Sequence, residues 1–159
     1  MFNFASQIMA TSKNETAAVF MTAMHKAQSE FKTFLRNKFR DSGLNLTFEM
    51  LQVLNHLWVQ QGVNQQEIAN LLHKDKASVT YLVDNLSKRG LVQRSEDSVD
   101  RRNRLITLTA QGLALKKVIR PWIDELFTIA GRNLTRDSLK AGVLLFGTMR
   151  KNLLEVNEG

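Results

Sequence analysis

The stretch Asp75-Lys-Ala-Ser-Val-Thr-Tyr-Leu-Val-Asp-Asn-Leu-Ser-Lys-Arg-Gly90 decides the fold. Val79, Leu82, Val83 and Leu86 fall at i, i+3, i+4 and i+7, the spacing of one helical face, and predict an inward stripe. Asp75 is placed to cap this helix against the amide of Ser78, and Gly90 to stop it. The opposite face carries Lys76, Ala77, Ser78, Thr80, Tyr81, Asp84, Asn85 and Lys88. Near the amino end these side chains are mostly small or hydrogen-bonding. Such a surface lets a helix sit deep in a groove about 12 Å wide, the major groove of duplex DNA. The positive end of the helix dipole and its free N–H groups favour phosphate as well. An ordinary solvated face would look much the same, so the flanking elements have to decide.

Upstream, Thr47 reads as an N-cap with Leu46 and Leu51 as a hydrophobic staple, and Asn64 as another, with Glu67 at N3 and Val63/Ile68 as its staple. Helices are therefore predicted over residues 47–61, 64–73 and 76–89, the last two joined by a very short turn. After Gly90 the period changes from helix to strand. Leu91–Arg94 and Arg104–Thr109 read as strands, and residues 95–103 between them are polar and charged. This connection gathers Asp100, Arg101, Arg102 and Arg104. Arginine at such a tip suits the narrow minor groove, where the potential is most negative, and Asp100 suits an orienting acceptor rather than a DNA contact. A solvated charged hairpin is the plainer alternative. The order helix, helix, turn, helix, strand, loop, strand across residues 47–109 is that of a winged helix-turn-helix, in a mainly α chain of the α+β class.

The ends of the chain are helical too. From about Glu15 to Arg40, Val19, Phe20, Ala23, Met24, Phe31, Phe34, Leu35 and Phe39 keep helical spacing, while residues 1–14 show no period and read as an arm. A helix from Ala110 to Gly131 holds Pro121 about three turns in, where a kink is expected. Thr135 caps a last helix over 136–156, with Leu134 and Leu139 as its staple. These three helices carry more apolar surface than a small winged lobe can cover. Two-fold pairing would bury it and set two recognition helices about one DNA turn apart.

The 159 residues suffice for one compact unit, and with no cysteine there is no disulfide, zinc-thiolate site or thiol switch to expect. No apolar run is long enough for a membrane span, and Met1-Phe2-Asn3-Phe4 lacks the basic start of a signal peptide, so a cytoplasmic protein is expected by elimination. The formal charge of +7 suits a polyanion but is spread evenly, with surpluses of two, two and three over residues 1–61, 62–109 and 110–159. Pattern argues more than charge here. No Gly-rich phosphate loop, Gly-x-Ser-x-Gly or His-Glu-x-x-His occurs, so no enzyme is expected. His25, His56 and His73 are isolated in sequence, and neither a metal nor a cofactor is expected.

Leu86-Ser-Lys-Arg-Gly-Leu-Val-Gln-Arg94, followed by Asp100-Arg-Arg-Asn-Arg-Leu-Ile-Thr-Leu-Thr-Ala-Gln-Gly112, resembles the signature of the MarR family of bacterial regulators. That pattern joins Leu-x-x-x-Gly-Leu-Val-x-Arg to Asp-x-Arg and then to Leu-Thr-x-x-Gly. The resemblance implies a homodimeric regulator binding double-stranded DNA, a repressor on palindromic operators. Residues 1–159 would form a single unit, with 44–109 as the DNA-binding lobe and 15–43 with 110–157 as the dimerisation lobe. Ser78, Thr80 and Tyr81 would fall on the base-reading part of the helix and Arg102 at the wing arginine. Asp100 would hold the wing, and Arg101 and Arg104 would add charge. Members often respond to a small aromatic ligand bound between the lobes, a cleft that Phe20, Met24, Phe31, Phe48, Met50, Trp58 and Tyr81 are candidates to line. The competing expectation, from another class, is a winged-helix protein-interaction module with an inert recognition face.

Overall fold

A computed structural model describes residues 12–96 and 104–157. Helix α1 spans Lys13–Asp41 and starts earlier than the apolar periodicity announces. Ser12 caps it in a reciprocal box: the Glu15 amide donates to Ser12 Oγ at 3.2 Å, and the Ser12 amide donates to the Glu15 carboxylate at 3.0 Å. Residues 12–14, read from sequence as part of an arm, thus belong to the cap and first turn, whose polar side chains leave no periodic trace. Gly43, at φ +70°, turns the chain out of the helix.

Helix α2 (Phe48–Leu57) is capped by Thr47, whose Oγ1 accepts from the Met50 amide at 3.2 Å. It ends before the predicted 61, because the chain must turn through Gly62 (φ +73°) to bring Val63 and Asn64 into a sheet. These two residues form β1, an element that the sequence reading lacks. Two residues carry no alternation, so only the pairing reveals them. Helices α3 (Gln65–Leu72) and α4 (Lys76–Lys88) follow, then β2 (Val92–Glu96) and β3 (Arg104–Leu108). The sheet is antiparallel in the order β1-β3-β2, with Val63 opposite Ile106 and Val92 opposite Leu108. Helices α5 (Ala110–Ala130) and α6 (Arg136–Asn157) complete the chain, and α5 remains helical across Pro121. A three-helix core closed by a small sheet is the winged helix-turn-helix that the pattern predicts. No described helix is long and apolar enough to cross a membrane.

By internal contacts the chain divides into two compact units, Met1–Ile123 and Asp124–Gly159. The first is built around side chains with no measurable exposure: Val53, Leu54, Leu57, Val63, Ile68, Val79, Val83, Leu86, Ile106 and Ile119. At the foot of the hairpin the packing is close. Thr109 N–H donates to the Leu91 carbonyl at 3.1 Å, Gly112 N–H to Thr109 Oγ1 at 3.0 Å, and Trp58 Nε1–H to the Gly112 carbonyl at 2.9 Å. A Cβ on Gly112 would lie 2.0 Å from the Leu91 oxygen, so no side chain fits there. In the second unit Thr135 caps α6, its Oγ1 accepting from the Ser138 amide at 3.1 Å. Among the described residues no side chain of α6 is buried. Val143, Leu144 and Val156 are 71%, 72% and 78% exposed.

Candidate nucleic-acid interface

Helix α4 is set in place from both ends. His73, held in the left-handed region at φ 49°, closes α3, and Asp75 opens α4 two residues later. The Asp75 carboxylate accepts from the Ser78 amide and from the Ser78 hydroxyl, both at 2.8 Å. These bonds, the amide first, hold the carboxyl below its ordinary value. The inner face is buried as predicted: Val79, Leu82, Val83 and Leu86 are at most 8% exposed.

On the outer face the predicted contact residues separate into two groups. Lys76, Ala77 and Lys88 are exposed, and the Tyr81 ring stands 69% exposed. Ser78, Thr80 and Asn85 are half-buried and already engaged. The Ser78 hydroxyl is given to Asp75. Thr80 Oγ1 donates to the Lys76 carbonyl at 2.9 Å and accepts from Gln65 Nε2 of α3 at 3.3 Å. Asn85 Nδ2 donates to the Tyr81 carbonyl at 2.8 Å. Their donors hold the helix before they can read anything. Asp84, counted from sequence on the outer face, is ion-paired with Arg94 of β2. Arg104 is exposed at the start of β3, opposite Glu96 in the ladder. Asp100, Arg101 and Arg102 lie outside the described residues.

Gln65 and Arg94 are what the sequence reading missed. For Gln65, the first residue of α3, nothing in the local pattern marks a partner fifteen residues away. Arg94 left a clue: it is two residues from Val92, hence on the same side of β2, where alternation asks for an apolar residue.

A cavity of about 370 Å³ opens beside the carboxyl end of α4, walled by Leu44, Leu46, Leu91, Leu115 and Val118, with Arg89 and Gln111 at its rim. A second, of about 320 Å³, shares the wall Gly43–Leu46 and adds Arg36, Phe39 and Arg40. None of the seven aromatic and methionine side chains proposed from sequence lines either one. Several serve packing instead: Met50 is 4% exposed, Trp58 donates to Gly112, and Lys32 Nζ lies 5.3 Å from the centre of the Phe48 ring. Helical spacing marks a residue as apolar and inward, and cannot say whether it meets a core or a void.

The fold and the site define a winged helix-turn-helix protein, and comparison with known proteins agrees. The sequence model of the MarR family matches residues 46–103. The HTH-type transcriptional regulator SarZ of Staphylococcus haemolyticus is 29% identical over 83 residues, 52% of this chain and 56% of that protein. The Bordetella bronchiseptica BpsR structure, described as showing regulation of its DNA binding by 6-hydroxynicotinic acid, has a TM-score of 0.70 at 26% identity. It covers 81% of this chain and 91% of its own. The S. aureus MepR–DNA complex has a TM-score of 0.71 at 24% identity, covering 86% and 96%. The chain spans about half the length of the curated relatives it matches. Residues 46–103 of this chain are thus similar to the MarR family, and SarZ is by name a transcriptional regulator.

Proposed function

We propose that this chain is a sequence-specific, double-stranded-DNA-binding transcriptional regulator of the cytoplasm, a repressor acting as a homodimer on palindromic operators and relieved by a small aromatic ligand. The observation that carries the reading is the division of labour on α4. Its inner face is fully packed, its cap and half-buried polar groups are locally bonded, and Lys76, Ala77, Tyr81 and Lys88 are left facing out. Such a helix is rigid and presents a positively charged, hydrogen-bonding surface of the width that the major groove admits. Arg101, Arg102 and Arg104 would supply the wing's contacts, with Asp100 holding it. Ser78, Thr80 and Asn85 would touch DNA only through what their internal bonds leave over. Residues 44–109 would be the DNA-binding lobe, and residues 15–43 with 110–157 the dimerisation lobe, paired through the exposed apolar side chains of α6.

The cavity beside Arg89 supports the ligand part of the proposal. Its leucine and valine wall suits a ring, and the guanidinium suits an attached carboxylate. It adjoins the residue that caps α4, so occupancy would be felt at the recognition helix.

Fluorescence anisotropy with duplexes recovered by selection from random DNA tests this directly. Affinity should fall with salt at a log–log slope of about −0.9 per phosphate contact. Tyr81→Ala should relax base preference more than it weakens non-specific binding. Flat, negligible binding to every duplex would leave the docking-module reading standing and remove this one. An aromatic acid that stabilises the protein thermally should also release the duplex; release by none would delete the ligand clause.

A further inference from the structure

The wing and the recognition helix must meet one duplex together, and the structure contains a joint between them. Asp84 lies on α4 one turn before Lys88, the partner that helix geometry offers first. Its carboxylate is bonded instead to the guanidinium of Arg94, on β2. Arg94 pairs across the ladder with Ile106, and its neighbour on that side, Val92, with Leu108. Val92, Ile106 and Leu108 are all buried. By register the arginine therefore sits on the inward side of an edge strand, with its head on the helix. The two side chains are 29% (Arg94) and 44% (Asp84) exposed. A half-exposed ion pair adds little to stability, so stability alone gives no reason for charge at that inward position. Geometry gives one. The bond ties the strand that leads into the wing to the middle of the reading helix. It also neutralises the one carboxylate on the face that the proposed function turns toward phosphate.

We propose that Asp84 and Arg94 are positioning residues that lock the wing to the recognition helix. They would do so without contacting bases, setting the register in which the two elements enter the grooves. The inference rests on the DNA-binding reading for its consequence, but not for the joint itself, and two measurements keep these apart. Amide hydrogen exchange read residue by residue reports the joint. Asp84→Asn and Arg94→Gln should each speed exchange in β2 while leaving α2 and the melting temperature nearly unchanged, and Arg94→Lys, which keeps the charge, should restore most of the protection. The ratio of affinities for a selected and a scrambled duplex reports the consequence. Each disruptive single variant should lower that ratio about tenfold, and the Asp84→Asn/Arg94→Gln double variant should be no worse than the poorer single one. Unchanged exchange in β2 would overturn the joint. Losses that multiply in the double variant would overturn the pair as one unit. A loosened β2 in a protein that distinguishes no duplex would support the joint and sink the DNA-binding reading.

Discussion

Helices α4 and α6 both carry apolar residues at helical spacing, yet the chain treats them in opposite ways. In α4 the stripe Val79, Leu82, Val83, Leu86 is almost entirely withdrawn from water. In α6 Leu139, Val143, Leu144, Leu153 and Val156 are 50–78% exposed in the single chain. Among the described residues, Leu126 is the one buried apolar side chain from beyond Ile123. The first unit is thus complete in its core, while the second shows a face that ordinary monomeric surfaces avoid. Periodicity alone reports the direction of a stripe. Whether anything covers it depends on elements far away in sequence, or on another chain.

The sharpest way to break this contrast is to place a methyl group in each unit. Gly112→Ala would drive a Cβ into the Leu91 carbonyl, where backbone and not a flexible side chain must give. A loss of about 3 kcal/mol or outright failure to fold is expected in urea denaturation. In α6 an added Cβ at Gly147 meets nothing within 4 Å, so Gly147→Ala should stabilise the helix by about 0.5–1 kcal/mol. A destabilised Gly147→Ala protein whose dimer also weakens would mean that Gly147 lies in an interface.

Next in size is the exposed stripe itself. Val143→Glu with Leu144→Glu should leave the melting behaviour of the winged unit intact. It should shift sedimentation from dimer to monomer, and weaken operator binding at least tenfold because two half-sites no longer act together. Unchanged sedimentation would assign the dimer contact elsewhere or remove it.

The smallest expected effect lies at the entrance to α4. The folded Asp75 carboxyl has its pKa lowered from 3.8 by the Ser78 bonds. Its contribution is therefore fully present above pH 3.8 and is lost as pH falls from there through the folded value. Wild-type stability should dip in that window more than that of Asp75→Asn, whose amide oxygen accepts without titrating. Parallel acid-denaturation curves would remove the cap from the account.

Much of this was legible in advance, and for identifiable reasons. The caps Thr47, Asn64, Asp75 and Thr135 are local: each needs one side chain and an amide three residues on, and each is where the pattern puts it. The inner face of α4 follows from four spacings. Apart from the Ser12–Glu15 box that opens α1, the missed pieces are non-local. β1 exists only because Val63 and Asn64 meet β3, forty residues away. The Gln65–Thr80 and Asp84–Arg94 bonds join different elements. The cavity walls come from the α1–α2 connection, the end of α4 and the start of α5, none of which announces a void.

By itself, then, the sequence determined that the middle of the chain is a winged helix-turn-helix whose third helix is capped and two-faced, because cap, period and turn chemistry act over a few residues. Only the tertiary structure decided which outer-face groups are spent on internal bonds, where the cavity lies, and that the stripe of α6 stays uncovered while that of α4 does not. Those outcomes turn on side chains brought together from distant positions, and a one-dimensional pattern carries no record of such distances.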